Sequence, residues 1–229
     1  MAQARHIPRP DLSHVDTWLF DLDNTLYPAA TRLFDQIDVR IGQYICDFLK
    51  IDHAEARKIQ KSYFREHGTT LRGLMEVHEM NPQKFLNFVH DIDFSPLKPN
   101  HDLNAALASI PGRKIIFTNA DVPYSKKVLA SLGIDHHFEH IYDIVEANYI
   151  PKPFKAAYDR LIDLHKITPK SAIFFEDIAR NLVPAADLGM TTVWVRGDEN
   201  WILPGNEEAK PDFETTDLVA WLGKVIQSA

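Results

Sequence analysis

Two carboxylates, Asp21 and Asp23, directly follow a short apolar run at residues 18–20. Charged groups at the end of a buried strand cost free energy unless something neutralises or uses them. Carboxylate oxygens are the ligands that hard divalent cations prefer, so the pair could contribute to a cation site. A turn or a helix cap is the ordinary alternative for Asp23. The meaning of the pair therefore depends on what other segments contribute.

Other apolar segments of the chain also end in polar residues. Hydroxyl, lysine and backbone N–H groups bind anions, whereas carboxylates bind hard divalent cations. Taken singly, each residue could be an ordinary strand end, a helix cap or a solvated lysine. Taken together, they predict a site for a phosphate bound to Mg²⁺. The residues are Thr118 and Asn119, Lys152 between two prolines, the acidic pair Glu176 and Asp177, and Asn181 four residues beyond that pair.

Apolar strands alternate with amphipathic helices over most of the chain. This alternation predicts an α/β fold with a parallel sheet covered by helices on both faces. Ligands of such sheets bind beyond the carboxyl ends of the strands, which is where the polar residues fall. The predicted strands occupy residues 17–21, 114–118, 141–145, 172–175 and 192–195, the last being the final strand, and the predicted helices occupy residues 122–132, 153–165, a segment ending at 188, and 216–227.

A helical block interrupts the alternation after the first strand. Apolar residues recur there at spacings of three and four, and Asn81-Pro82 has the features of a helix start. The turn-rich residues 91–100 end the block. We therefore expect a loose N-terminal arm at residues 1–15, an α/β core at residues 16–29 and 100–229, and a helical insertion at residues 30–99.

The composition narrows the classes of partner and location. The chain has 229 residues, a net charge of −7 and no Lys/Arg-rich run, which argues against binding to a nucleic-acid polymer. No stretch approaches the length of a transmembrane helix, so we expect no membrane span. A single cysteine, Cys46, fits a reducing, cytoplasmic location.

The ordered motifs resemble those of the haloacid dehalogenase superfamily of aspartate-nucleophile hydrolases. Residues 21–25, with the sequence DLDNT, are similar to its first motif, and Thr118 is similar to its second. Lys152 and the pair Glu176-Asp177 are similar to the third and fourth. The resemblance implies a Rossmann-like parallel core with a helical cap inserted after the first strand.

The resemblance also implies roles for the residues. Asp21 would be the nucleophile that forms an aspartyl-phosphate, and Asp23 would be the general acid and base. Mg²⁺ would be bound by Asp21, the backbone carbonyl of Asp23, Asp177 and Glu176. Thr118 and the backbone N–H of Asn119 would bind the phosphoryl oxygens. Lys152 would offset the negative charge, and Asn181 would support the loop that carries the metal ligands.

Asp23 also distinguishes branches of the superfamily, because a second aspartate in the first motif is the signature of its phosphatases rather than its dehalogenases. The segments DLDNTLYP and GTTLRGL look like those of pyrimidine 5′-nucleotidases, although that group often has aspartate at the position of Glu176. The resemblance implies hydrolysis of a small phosphorylated metabolite, a pyrimidine nucleoside 5′-monophosphate. The alternatives are a phosphatase for another small phosphoester, a phosphosugar mutase and a catalytically silent binding module.

Two further residues are candidates for contact with the leaving group. Arg72 could reach a base carbonyl, a ribose or a phosphate oxygen, and its alternative is a solvated arginine at a helix start. Tyr27 could stack on a base, and its alternative is packing between the core and the helical insertion.

Overall fold

The computed structural model describes residues 11–197, 206 and 209–226. The described residues form one six-stranded, wholly parallel sheet in the order β3-β2-β1-β4-β5-β6. The central strand β1 lies between β2 and β4, so the strand order reverses beside it. The strands are β1 (Thr17–Phe20), β2 (Arg113–Phe117), β3 (His140–Tyr142), β4 (Ala172–Glu176), β5 (Thr191–Val195) and β6 (Phe213–Thr215).

Five α-helices lie between β1 and β2: the first four form an insertion, and the fifth covers the sheet together with the remaining helices. We call the inserted helices α1–α4 the cap. The helices are α1 (Leu33–Leu49), α2 (His53–Glu66), α3 (Thr70–His78), α4 (Pro82–Val89), α5 (His101–Ser109), α6 (Val122–Leu132), α7 (Lys155–His165), α8 (Val183–Asp187) and α9 (Leu218–Ile226). The predicted class, a parallel α/β sheet with a helical insertion after the first strand, is confirmed. Among the described residues, we find no helix whose length and hydropathy would let it span a membrane.

Local hydrogen bonds fix where the cap helices begin. The side chains of Asp52, Thr69 and Asn81 each accept a bond from a backbone N–H in the first turn of α2, α3 and α4. Such caps satisfy donors that the helix itself leaves unpaired. Pro82, at the start of α4, loses nothing by lacking an N–H there.

Strand alternation divides the apolar residues between the two faces of the sheet. On one face, the rings of Phe20 and Phe175 stack with centroids 4.7 Å apart, within a large cluster that extends into the cap. On the other face, Leu19 packs in a smaller cluster with Phe117 and Phe174 beneath α7 and α8. Because β1 is buried on both faces, a polar residue at its end is held in a fixed position.

Several predicted elements require correction. The strand at residues 191–195 is not the last, because β6 follows it, and helix α5 was not predicted. The third strand ends at Tyr142, because the Asp143 side chain accepts a bond from the N–H of Glu146, which turns the chain. Its other oxygen accepts from the N–H of Val122 at the start of α6. The predicted helix ending at 188 is a 3₁₀ turn followed by the short α8, where Pro184 supplies no backbone donor.

The ends of the chain are described in part. Residues 1–10 of the predicted arm lie outside the described residues, whereas Leu12 and Val15 are buried in the main cluster. The closing helix is α9, and residue 227 of its predicted span lies outside the described residues.

Candidate active site

The carboxyl ends of three neighbouring strands converge at the sheet's centre. Asp21 follows β1, and its backbone N–H donates to the carbonyl of Phe175 at 2.9 Å. Thr118 follows β2, and Glu176 is the last residue of β4. Since the strands are parallel and in register, these side chains reach the same edge, as the sequence predicted.

Lys152 places a positive charge at this edge of the sheet. Its Nζ donates to Asp21 Oδ1 at 2.6 Å, to Glu176 Oε2 at 2.6 Å and to the carbonyl of Phe117 at 2.8 Å. Only 2% of the residue is exposed. Burial opposes the charged form, but the two carboxylates raise the pKa of Lys152 overall, so the amine stays cationic.

Asn119 holds the backbone that presents Lys152. Its Oδ1 accepts from the backbone N–H of Lys152 at 2.9 Å, and its Nδ2 donates to the carbonyl of the same residue at 3.3 Å. This pair of bonds ties the loop after β3 to the end of β2. The prediction for Asn119 was that its backbone N–H binds a phosphoryl oxygen, whereas these side-chain contacts position the lysine.

Three carboxylates gather beside the lysine. Oxygen atoms of Asp21, Glu176 and Asp177 lie within 4.8 Å of one another. Burial and the charge of Glu176 raise the pKa of Asp21 to about 7, and the same causes raise the pKa of Asp177 well above its usual range. A divalent cation would relieve this repulsion, and carboxylate oxygens are the donors that Mg²⁺ prefers.

Two tyrosine hydroxyls donate hydrogen bonds to the carboxylate of Asp23 and hold it in place. Its Oδ1 accepts from the hydroxyl of Tyr27 at 2.5 Å and from that of Tyr124 at 2.6 Å. Burial raises the pKa of Asp23, while the two tyrosine bonds oppose that rise. The ring of His90 stacks on Tyr124 at 4.4 Å, and its Nδ1 lies 3.0 Å from Asp121.

Tyr124 and His90 were not among the predicted site residues. Tyr124 lies in the first turn of α6, which begins four residues after Thr118. Its closeness to a motif residue in the sequence could have indicated that it lies at the site. His90 offered no comparable signal, because it ends a cap helix far away along the chain.

A cavity of about 160 Å³ separates the sheet edge from the cap. The motif side chains form its floor, including Thr118 and the buried Asn181, while apolar cap residues form its walls. The wall residues contributed by the cap include Phe34, Ile37, Ile41, Phe64, Leu71, Phe85, Leu86 and Val89.

The two predicted leaving-group contacts lie outside this lining. Arg72 Nε donates to Glu76 Oε1 at 2.7 Å, and its guanidinium lies 4.6 Å from the centre of the Phe154 ring. Tyr27 is 2% exposed and faces Asp23. The structure therefore brings together the eight core residues of the prediction and gives Arg72 and Tyr27 other contacts.

Comparisons with known proteins agree with this geometry. A family model described as a haloacid dehalogenase-like hydrolase matches residues 15–189. Phosphate metabolism protein 8 of Saccharomyces cerevisiae is 26% identical over 201 residues, which cover 80% of this chain and 62% of that protein. The chain thus spans less than two thirds of that relative's length. Glyceraldehyde 3-phosphate phosphatase of Methanopyrus kandleri is 28% identical over 214 residues, covering 86% of this chain and 91% of that protein.

Solved structures share the fold. A HAD phosphatase from Thermococcus onnurineus superposes with a TM-score of 0.60 and 18% identity over 93% of this chain and 98% of its own. A magnesium-bound HAD-hydrolase from Bacillus subtilis superposes with a TM-score of 0.58 and 15% identity over 92% of this chain and 98% of its own. With the family model matching more than half of its length, the chain belongs to the haloacid dehalogenase-like hydrolases.

Proposed function

We propose that this protein is a Mg²⁺-dependent phosphomonoesterase that forms an aspartyl-phosphate on Asp21. The observation that carries the proposal is the buried Lys152, bonded to Asp21 at an edge that also presents Asp23 and Asp177. A phosphoester leaves as an alkoxide and needs a proton, whereas a halide does not. The placement of Asp23 on the cavity floor therefore favours phosphatase over dehalogenase chemistry.

Asp21 would attack phosphorus while the bond to the leaving oxygen breaks, and Asp23 would give that oxygen a proton. Asp23 would then take a proton from the water that attacks the acyl phosphate, which releases inorganic phosphate and restores Asp21. The bond from Lys152 to one oxygen of Asp21 fixes the orientation of the carboxylate. Thr118, on the cavity floor, would donate to a phosphoryl oxygen.

The proposed Mg²⁺ ligands are Asp21, Asp177 and the backbone carbonyl of Asp23. Both oxygens of Glu176 already accept bonds, one from Lys152 and one from the N–H of Ile178 at 3.2 Å. Asp21 likewise accepts a bond at each oxygen, from Lys152 and from Thr25, and each carboxylate oxygen keeps a second lone pair. We therefore keep Glu176 as a fourth proposed partner of the metal, in direct contact or through water. When bound, Mg²⁺ would supply positive charge that offsets the phosphate dianion.

The proposed substrate is a pyrimidine nucleoside 5′-monophosphate. Supporting it are the nucleotidase-like segments and the phenylalanines of the cap wall, Phe34, Phe64 and Phe85, which offer flat apolar surfaces for a base. The second candidate is a smaller phosphoester, such as a triose phosphate. The cavity of about 160 Å³ favours it, because sites for larger ligands usually enclose about 300 Å³ or more.

Hydrolysis assays test the proposed mechanism first and the proposed substrate second. Wild type should release phosphate from an aryl phosphate only when Mg²⁺ is present, and Asp21→Asn should release none. The exposed Asp47 in α1 provides a matched control, since Asp47→Asn should keep full activity. Equal activity of Asp21→Asn and wild type would refute the mechanism, and a wild type without activity would favour a silent binding module.

A substrate panel separates the candidates. A preference for UMP and CMP over purine nucleotides, sugar phosphates and triose phosphates supports the nucleotidase proposal. A triose phosphate as best substrate would support the second candidate. An isomerised sugar phosphate without phosphate release would instead identify a mutase.

A further inference from the structure

A second group of potential metal ligands lies away from the cavity, at the edge of the sheet. His140 begins the edge strand β3, Glu146 follows in the turn after it, and His165 is the last residue of α7. One side-chain atom from each lies within 4.8 Å of the other two. Strand β2 separates this group from the central strand that carries Asp21.

The contacts within the group are incomplete. His140 Nε2 lies 2.6 Å from Glu146 Oε2, which is a hydrogen bond. His165 Nε2 lies 3.6 Å from Glu146 Oε1, which is too far for one. In the part of the chain that the structure describes, only this nitrogen and Arg180 Nε are buried side-chain polar atoms without a hydrogen-bond partner. Such an atom costs free energy unless something binds it.

The surroundings hold the group in place. The rings of His140 and His165 are 4.3 Å apart, and the side chain of His165 is 13% exposed. Arg160 Nε donates to the backbone carbonyl of Glu146 at 2.6 Å, which fixes the turn that carries the carboxylate. Three different elements thus converge on one point.

The donor chemistry selects the type of metal. Two imidazole nitrogens and one carboxylate oxygen form a set that Zn²⁺ accepts, with water in its fourth position. Mg²⁺ prefers oxygen donors alone and belongs at the carboxylate cluster. Zn²⁺ binding here would replace the hydrogen bond between His140 and Glu146 and would give the buried nitrogen of His165 a partner.

We propose that His140, Glu146 and His165 form a Zn²⁺ site that ties the edge strand β3 to helix α7. The site is separate from the proposed phosphatase centre and does not depend on it. Its role is structural, because β3 has only three residues with which to pair. The metal adds a link between β3 and the helix that covers the neighbouring face.

Zn²⁺ titration by calorimetry, in the presence of excess Mg²⁺, tests the proposal. An Asp177→Asn background removes a ligand from the carboxylate cluster and should keep one equivalent of Zn²⁺. We expect His165→Gln and Glu146→Gln each to weaken Zn²⁺ binding at least tenfold. Zn²⁺ at a hundredfold excess over its Kd should raise the Tm of wild type by about 5 to 10 °C.

His136→Gln is the matched control, because His136 also lies beside another histidine but is exposed and outside the group. It should bind Zn²⁺ as wild type does. The absence of Zn²⁺ binding by wild type would overturn the proposal, as would equal weakening by His136→Gln and His165→Gln. Circular dichroism of each metal-free variant checks folding, and a tetrahedral Co²⁺ spectrum lost in Glu146→Gln would give independent support.

Discussion

The side chain on which the site depends most is a fully enclosed lysine. Lys152 lies between Asp21 and Glu176 with its three donors all bonded. A buried ion pair is costly to assemble, and it is still more costly to break by removing one partner. Stability and catalysis therefore depend on the same side chain.

Replacing this lysine should destabilise the protein strongly. Without Mg²⁺, Lys152→Met leaves two buried carboxylates unpaired, and we expect the free energy of unfolding to fall by about 3 to 5 kcal/mol. Urea unfolding measures the change. Lys155→Met is the matched control, because Lys155 is exposed and pairs with Asp159 one helical turn away; it should cost less than about 1 kcal/mol. Similar losses for the two variants would contradict the importance of the buried pair.

The tyrosines under Asp23 should affect the proposed proton transfer. Both hydroxyls donate to Oδ1, so Tyr124→Phe would loosen the carboxyl that protonates the leaving group. We expect kcat for alkyl phosphates to fall about tenfold, which corresponds to one hydrogen bond to a charged group. Kcat for an activated aryl phosphate should change much less, since its leaving group needs little protonation.

A second buried tyrosine serves as the control for that measurement. Tyr142 donates to the backbone carbonyl of Ala157 at 3.1 Å, away from Asp23. Tyr142→Phe should lose a comparable bond without changing the ratio of alkyl to aryl activity. A uniform loss on both substrate types in Tyr124→Phe would argue against its action through Asp23.

Among the helices and strands, the sequence predicted those that have a periodic apolar pattern or a clear start and stop signal. Helix α6 has its predicted bounds because Asp121 caps its start and Gly133, with φ 71°, ends it. Strand β6 could not be predicted, because three residues without a buried side chain carry too little pattern. The alternation of strands and helices, together with the motif residues at the strand ends, was enough to predict which side chains form the floor of the site.

The partners of the site residues required the tertiary structure. The sequence placed Asn119 and Glu176 at the correct edge, but their bonds to Lys152 depend on a loop that returns from β3. The pairing of Asp23 with Tyr124 likewise joins residues 101 positions apart. Neither propensity nor periodicity encodes such contacts.

The packing of the cap helices gives a third prediction. A Cβ at Gly73 in α3 would lie 2.4 Å from the ring of Tyr63 in α2. Gly73→Ala should therefore separate the two helices and cost about 1 to 3 kcal/mol, measured as a lower unfolding midpoint. Gly42→Ala is the control, because its Cβ would meet Gln60 at an ordinary 3.5 Å, and it should stabilise α1 by about 0.5 to 1 kcal/mol. Equal effects at both positions would exclude helix separation as the cause.

At the scale of the whole molecule, two arginines join the cap to the core. Arg180 follows β4 in the core; its guanidinium lies 4.4 Å from the centre of the Phe64 ring and donates to the carbonyl of Phe64 at 3.3 Å. Arg72 reaches from the cap to the ring of Phe154. These contacts join the cap to the core beside the cavity.

Removing one of these contacts should shift the cap toward an open position. Arg180→Ala loses a cation–π contact and a hydrogen bond, so we expect KM to rise about five- to tenfold for all substrates. Arg57→Ala is the control, because Arg57 pairs with Asp38 inside the cap. Faster limited proteolysis of Arg180→Ala than of Arg57→Ala would support the opening. An unchanged KM in Arg180→Ala would show that closure does not rely on this contact.

The two edge strands of the sheet affect how readily the protein aggregates at high concentration. Strands β3 and β6, which flank the other four, contain three residues each. An exposed strand edge is the usual template on which another chain adds a strand and begins to aggregate. Here each edge offers too few backbone groups to hold a visiting strand. We therefore expect the native sheet to recruit few added strands when the protein is concentrated.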